Sequence, residues 1–210
     1  MELKELYKEL GDYINDLEQM SISDNRKTLF SPIIDYLDGN VRLGKRARIN
    51  FICTHNSRRS QFAQVWAQTA AEHFGLPIDT YSGGTEVTAC NPRTIKALER
   101  AGFRVESKGD ENPVYRIHYS KVDHPIIAFS KVHDDDFNPV DSFAAIMTCS
   151  DADENCPFIP GADIRIPLLY IDPKHADGSS EEAAAYDDCC RRIAAEMFCL
   201  FALVKNQSGL

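Results

Sequence analysis

Residues 47–74 read ARINFICTHNSRRSQFAQVWAQTAAEHF, and the fold turns on this stretch. Ile49 to Ile52 is a short, mainly apolar run with the β-branched content of a buried strand. Ser60 to Phe74 then sets Phe62, Val65, Trp66, Thr69 and Ala70 facing inward at helical spacing. Strand followed by helix is the opening of an α/β domain.

The chemistry lies in the join, Cys53-Thr54-His55-Asn56-Ser57-Arg58-Arg59-Ser60. A thiol attacks as its thiolate, and a free cysteine with a pKa of about 8.5 is only slightly ionised at neutral pH. A loop wrapped between a strand end at Cys53 and a helix start near Ser60 aims backbone N–H groups and the helix N-terminus at one point. Arg59 adds a planar fork that can hold two oxygens of a tetrahedral anion, and Ser60 can donate to Cys53. Thr54, His55, Asn56, Ser57 and Arg58 complete an oxyanion-binding loop with Cys53 as nucleophile. The competing reading is a strand-end cysteine followed by arginines without a role.

Downstream the alternation continues. Ile78 to Ser82 reads as a strand, and Asn91-Pro92 caps a helix that Gly102 ends. Val114 to Tyr119 and Ile126 to Phe129 read as a hairpin inserted on a sheet edge over 114–130. Phe143 to Thr148 is a buried parallel strand; Ile164 to Leu169 is a weaker one that Pro167 places at an edge. Ser180, Glu181 and Glu182 begin a C-terminal amphipathic helix through Phe201, on which Cys189, Cys190 and Cys199 read as packing or inert thiols. The expected fold is a twisted four-stranded parallel sheet flanked by helices over 45–210.

Upstream, residues 1–44 read as a helical extension. Leu3, Leu6, Tyr7, Leu10, Tyr13, Ile14 and Leu17 form one stripe of a helix over 2–19, which either packs on the main domain or meets a second copy or a partner. A second helix starts near Ser23 or Asp24, runs through Leu37 and stops at Asp38-Gly39-Asn40.

The net charge of -9 argues against nucleic acid or an anionic membrane as partner, so an anionic substrate must be caught by a local site. No stretch approaches the ~18 apolar residues of a membrane span. The N-terminus lacks an export signal, so a cytoplasmic protein is expected. Its seven cysteines, an odd number, then read as thiols rather than as a disulfide framework.

Cys53-x5-Arg59-Ser60 after the first strand resembles the low-molecular-weight protein tyrosine phosphatase superfamily, over roughly residues 47–205. The resemblance implies attack by Cys53 and protonation of the leaving oxygen by an aspartic acid that precedes a proline; Ile171-Asp172-Pro173 supplies Asp172. It also implies that Asn56 braces the loop.

Cys149-Ser150-Asp151-Ala152-Asp153-Glu154-Asn155-Cys156-Pro157 narrows the resemblance. Cys-x6-Cys-Pro after the third strand, with Gln61 behind Arg59-Ser60, resembles the thioredoxin-coupled arsenate reductase branch. By that resemblance Cys53 forms a thiol-arsenate adduct, Cys149 attacks Cys53 to expel arsenite, and Cys156 attacks Cys149 to leave a disulfide on a mobile loop for thioredoxin, the external reductant. No bound cofactor or metal is implied. The alternatives are two unrelated thiols, or half a zinc site with His118, His124 or His133, for which the spacing is wider than usual.

Two positions depart from the family's loop, His55 where glycine is usual and Arg58 where cysteine is. Cys90 has no place in the motif. The alternatives to arsenate reduction are a tyrosine or phosphomonoester phosphatase, which needs only Cys53, Arg59 and Asp172, and a redox sensor or anion-binding module without turnover. The absence of tyrosines just after Asp172-Pro173 weighs against a tyrosine phosphatase.

Overall fold

The computed structural model describes residues 6–17, 19–121 and 124–209. Three helices come first, α1 (Lys8–Leu17), α2 (Asp24–Thr28) and α3 (Ser31–Arg42). Then follow β1 (Ala47–Cys53), α4 (Arg59–Phe74), β2 (Ile78–Gly84) and α5 (Pro92–Arg100), and a run of strands β3 (Arg104–Lys108), β4 (Val114–His118) and β5 (Ile126–Ala128). The chain ends with β6 (Phe143–Met147), α6 (Ser150–Asn155), β7 (Ala162–Pro167), a 3₁₀ turn (Pro173–Ala176) and α7 (Glu182–Ser208).

The main sheet has the order β2-β1-β6-β7, all parallel. Its central strands are apolar because both faces are covered. Along β6, Ala144 and Ile146 face the large core under α4 and α7, while Phe143, Ala145 and Met147 face a smaller cluster shared with Ile52, Cys53 and Cys149. The chain leaves β1 toward β2 on one side and later returns to β6 on the other. Such a switch point opens a crevice at the strands' C-terminal ends, where Cys53 and Cys149 emerge. Thr148 locks that end, its N–H and hydroxyl both donating to Ile52 O at 2.7 and 3.0 Å.

Trp66 of α4 is fully buried, stacked on Tyr13 of α1 at 5.5 Å and edge-on to Phe103 at 4.9 Å. The helical stripe of α1 is thereby spent on the chain's own core, with Leu10, Ile14 and Leu17 buried in it. Leu3 of that stripe lies outside the described residues. Burial pushes the Cys190 thiol, which accepts from Trp66 Nε1 at 3.2 Å, up to about 12, as befits a packing residue.

Three local readings need correction. The expected second helix is two: Pro32 starts α3 afresh, and α3 runs through Gly39 to end before Gly44, whose φ of +69° provides the stop. The hairpin of β4 and β5 exists, but with β3 it forms a separate three-stranded antiparallel sheet rather than an addition to the parallel sheet's edge. The segment between Cys149 and Cys156 is not an open loop but the short helix α6.

Candidate active site

The loop from Cys53 to Ser60 is held by its carbonyls. Thr54 O accepts from the N–H groups of Thr85 and Glu86, Asn56 O from Gln61, and Ser57 O from Asn91 N–H at 3.0 Å and from the Thr94 hydroxyl. His55 O accepts from Ser130 Oγ at 2.8 Å. Among the described residues, the backbone N–H groups of Thr54, His55, Asn56, Ser57 and Arg58 donate to no protein group. Carbonyls tied outward with amides left free is the electrostatic pattern of an anion cradle, since unpaired N–H groups are otherwise rare.

Asn56 makes the turn. It takes the left-handed conformation, φ +46°, and is fully buried. Its Nδ2 donates to Ser60 Oγ at 2.9 Å and its Oδ1 accepts from Lys131 N–H at 3.1 Å. His55, at the family's glycine position, needs no positive φ, so the missing glycine costs the loop nothing in backbone strain. Gly84, paired with Cys53, passes so close that an added Cβ would lie 2.6 Å from Thr54 O.

Cys53 is 4% exposed, with Sγ 3.0 Å from Ser60 Oγ. Because Asn56 donates to that same oxygen, the Ser60 hydroxyl proton is free to point at the sulfur. A small cavity is lined by Cys53, His55, Ser57, Arg58, Arg59 and Asp172, which brings the expected acid into the anion loop. Arg59 Nη2 pairs with Asp172 Oδ2 at 2.7 Å, and Nη1 donates to Tyr170 O at 3.1 Å. Asp172 also caps the 3₁₀ turn, accepting from Lys174 N–H at 3.0 Å.

Arg58 is turned inward, unlike a solvated surface arginine. Its Nε donates to the Tyr186 hydroxyl at 2.8 Å, and that hydroxyl donates to Asp177 Oδ1 at 2.8 Å. It also stands 3.9 Å from Asp172 and 3.8 Å from Asp177. His55, which also lines the cavity, lies 3.5 Å from the Glu86 carboxylate. Tyr186 and Asp177 were not legible as site residues, because neither carries a motif and both reach the loop only through tertiary packing.

Cys149 is 1% exposed and caps α6, its Sγ accepting from Ala152 N–H at 3.4 Å. Its sulfur is 3.5 Å from the Thr54 hydroxyl, beside Cys53 in the chain, and that hydroxyl donates to Asp151 Oδ2 at 2.7 Å. Cys156, half-buried at the other end of α6, packs on the same small cluster as Cys53 and Cys149. All three are unpaired thiols. Among the described residues, no three His, Cys, Asp or Glu side chains gather as a metal site. Burial pushes the Cys90 thiol up to about 12.

Residues 48–208 match the model of the low-molecular-weight phosphotyrosine protein phosphatase family. The chain belongs to that family. Among its relatives is an arsenate reductase of Bacillus licheniformis, 30% identical over 154 residues, covering 73% of this chain and 94% of the relative. An arsenate reductase of Bacillus subtilis is 28% identical over 138 residues, covering 66% of this chain and 82% of the other. The fold is shared with a low-molecular-weight phosphotyrosine phosphatase from Vibrio cholerae at a TM-score of 0.52, 14% identity and coverage of 78% and 99% of the two chains. A mutant of YwlE from Bacillus subtilis gives 0.51 at 16% identity, with coverage of 74% and 97%. No described helix is long and apolar enough to cross a membrane.

Proposed function

We propose that this family member reduces arsenate to arsenite with Cys53, Cys149 and Cys156, and that thioredoxin restores the thiols. The observation that carries the reading is the placement of Cys149, which meets the hydroxyl of Thr54, the residue next to Cys53, while Cys156 closes the same short helix. A phosphatase has no use for either thiol. The naming of the Bacillus licheniformis relative as an arsenate reductase supports the same choice.

In this reading the free amides of residues 54–58 and the Arg59 fork hold three oxygens of arsenate, and the Cys53 thiolate displaces the fourth. Asp172, on Arg59, passes a proton to that departing oxygen, which leaves as water. The Cys149 thiolate then attacks Cys53 Sγ; the S–As bond breaks and its electron pair stays on arsenic, so As(V) becomes As(III) and arsenite departs. Cys156 attacks Cys149 and frees Cys53 as thiolate. The sum is arsenate and two thiols to arsenite, water and one disulfide, which the dithiol of thioredoxin reduces.

The geometry adds one requirement. Seven residues of helical rise separate Cys149 from Cys156 by about 10 Å, whereas a disulfide needs Cα atoms roughly 4.4–6.8 Å apart. α6 must therefore unwind before the second disulfide closes.

The test is arsenite production with thioredoxin, thioredoxin reductase and NADPH, run beside hydrolysis of para-nitrophenyl phosphate. Cys53→Ser is expected to abolish both activities, and Cys149→Ser only the first. A Cys149→Ser variant that still turned over arsenate repeatedly would sink the proposal. Phosphoester hydrolysis with no arsenite formed by the wild type would favour the phosphatase alternative, for which loop, Arg59 and Asp172 suffice.

A further inference from the structure

The family match begins at residue 48, yet the segment ahead of it sends one side chain to the back of the site. Arg26 of α2 donates from Nε to Glu196 Oε1 at 2.8 Å and lays its guanidinium 4.8 Å from the centre of the Tyr170 ring. Glu196, on α7, is 1% exposed. A carboxylate at that depth demands a cation, and the other candidate, Arg192, is 4.0 Å away with a mostly exposed side chain. Burial, with the Glu196 charge beside it, holds the Tyr170 phenol protonated, its pKa well above the ordinary value.

Tyr170 lies two residues before the acid and is anchored through both its N–H and its carbonyl. Its N–H donates to Thr148 O at 3.1 Å, and its carbonyl accepts from Arg59 Nη1 at 3.1 Å. Ile171 then points into solvent, and Asp172 takes the other nitrogen of Arg59. The backbone at Tyr170 thus fixes one of the two hydrogen bonds that orient the Arg59 fork, and the Tyr170 ring is what the Arg26 guanidinium, held by Glu196, lies against.

We infer that Arg26 is a positioning residue for oxyanion binding: by pairing with Glu196 and stacking on Tyr170 it sets the direction of Arg59. The N-terminal helices are then part of the site's construction. The inference rests on the reading of Arg59 as the anion fork. It separates two jobs that Arg26 does at once, neutralising a buried carboxylate, which any removal of that carboxylate would make unnecessary, and holding the Tyr170 ring, which it would not.

The experiment measures inorganic phosphate binding by calorimetry, and melting temperature alongside, for the full chain and its Arg26→Met, Arg26→Met/Glu196→Met and Arg59→Ala variants. Arg26→Met is expected to melt earlier and bind phosphate about tenfold more weakly, the cost of a misdirected fork. The double variant, with no buried charge left unpaired, is expected to regain the melting temperature and keep the tenfold loss. It carries the test alone should the single variant not fold. Recovery of both melting temperature and affinity in the double variant would overturn the inference, as would Arg26→Met binding phosphate within twofold of wild type while Arg59→Ala does not bind. Phosphate binding that survives Arg59→Ala would overturn the reading of the site and this inference with it.

Discussion

Arg165→Ala should expose Cys149, because Arg165 holds the C-terminal half of α6, while at the helix's first turn Thr54 holds Asp151. Arg165, on β7, donates from Nε to Cys156 O at 2.8 Å and from Nη2 to Asp153 O at 2.5 Å, and it pairs with the Asp153 carboxylate at 2.7 Å. Its side chain is 21% exposed, so the ion pair is discounted for solvent and the two bonds to backbone carbonyls dominate. A hydrogen bond from a charged donor contributes roughly 1.5–3 kcal/mol, and we take one such value for the clamp because the freed carbonyls regain water on opening. At about 1.4 kcal/mol per decade, the open population rises about 10- to 100-fold. Site-resolved alkylation of the reduced native protein by iodoacetamide, followed by mass spectrometry, reads that population at Cys149, which is buried in the closed state. Cys190, in the main core, serves as the control for global unfolding. A Cys149 rate within twofold of wild type, or an equal acceleration at Cys190, would refute α6 as a local gate.

Three further outcomes follow from the site's construction. Asn56→Ala removes two buried hydrogen bonds and places a Cβ residue without a bracing amide at φ +46°; a loss of about 2–4 kcal/mol is expected, read in the chemical denaturation midpoint, together with loss of phosphate binding. Tyr186→Phe leaves Arg58 Nε without its acceptor and should lower kcat/KM about 2- to 10-fold with little change in melting temperature; an unaltered kcat/KM would show that Arg58 is idle. Burial depresses Lys131 to about 8, against partial compensation by Asp135 and Cys90. The unfolded chain therefore binds the extra proton between about pH 8 and the ordinary lysine value near 10.4, so the destabilisation from Lys131 is complete below pH 8 and vanishes above that range. Lys131→Met should raise the melting temperature at pH 7 and lose that advantage at pH 10.5; an advantage independent of pH would contradict the assignment.

The candidate site was legible where chemistry is contiguous in the chain. Cys53, Arg59 and Ser60 stand at a strand–helix joint that hydrophobic periodicity locates, so their convergence follows from local structure. Asn56 was legible as a brace through the family resemblance, but the braces from elsewhere in the chain were not. Ser130, Lys131, Asp177 and Tyr186 reach the loop across the fold, and nothing in their sequence neighbourhood marks them. β3 escaped notice because Arg104–Lys108 is almost wholly exposed and shows no apolar alternation. α6 escaped because five of its six residues are polar and only Ala152 is buried; Cys149 at its N-cap and Arg165 of the following strand β7 hold it. α3 outran its expected stop because Gly39 costs a helix only about 1 kcal/mol, which packing of Ile33, Leu37 and Val41 outweighs.

The relay itself is tested most directly by counting. Cys156→Ser is expected to release one arsenite per enzyme on mixing with arsenate without thioredoxin, and to show a trapped Cys53–Cys149 disulfide in the intact-mass and peptide spectra. Less than a tenth of an equivalent, or a full equivalent with Cys53 and Cys149 both recovered as thiols, would contradict the relay.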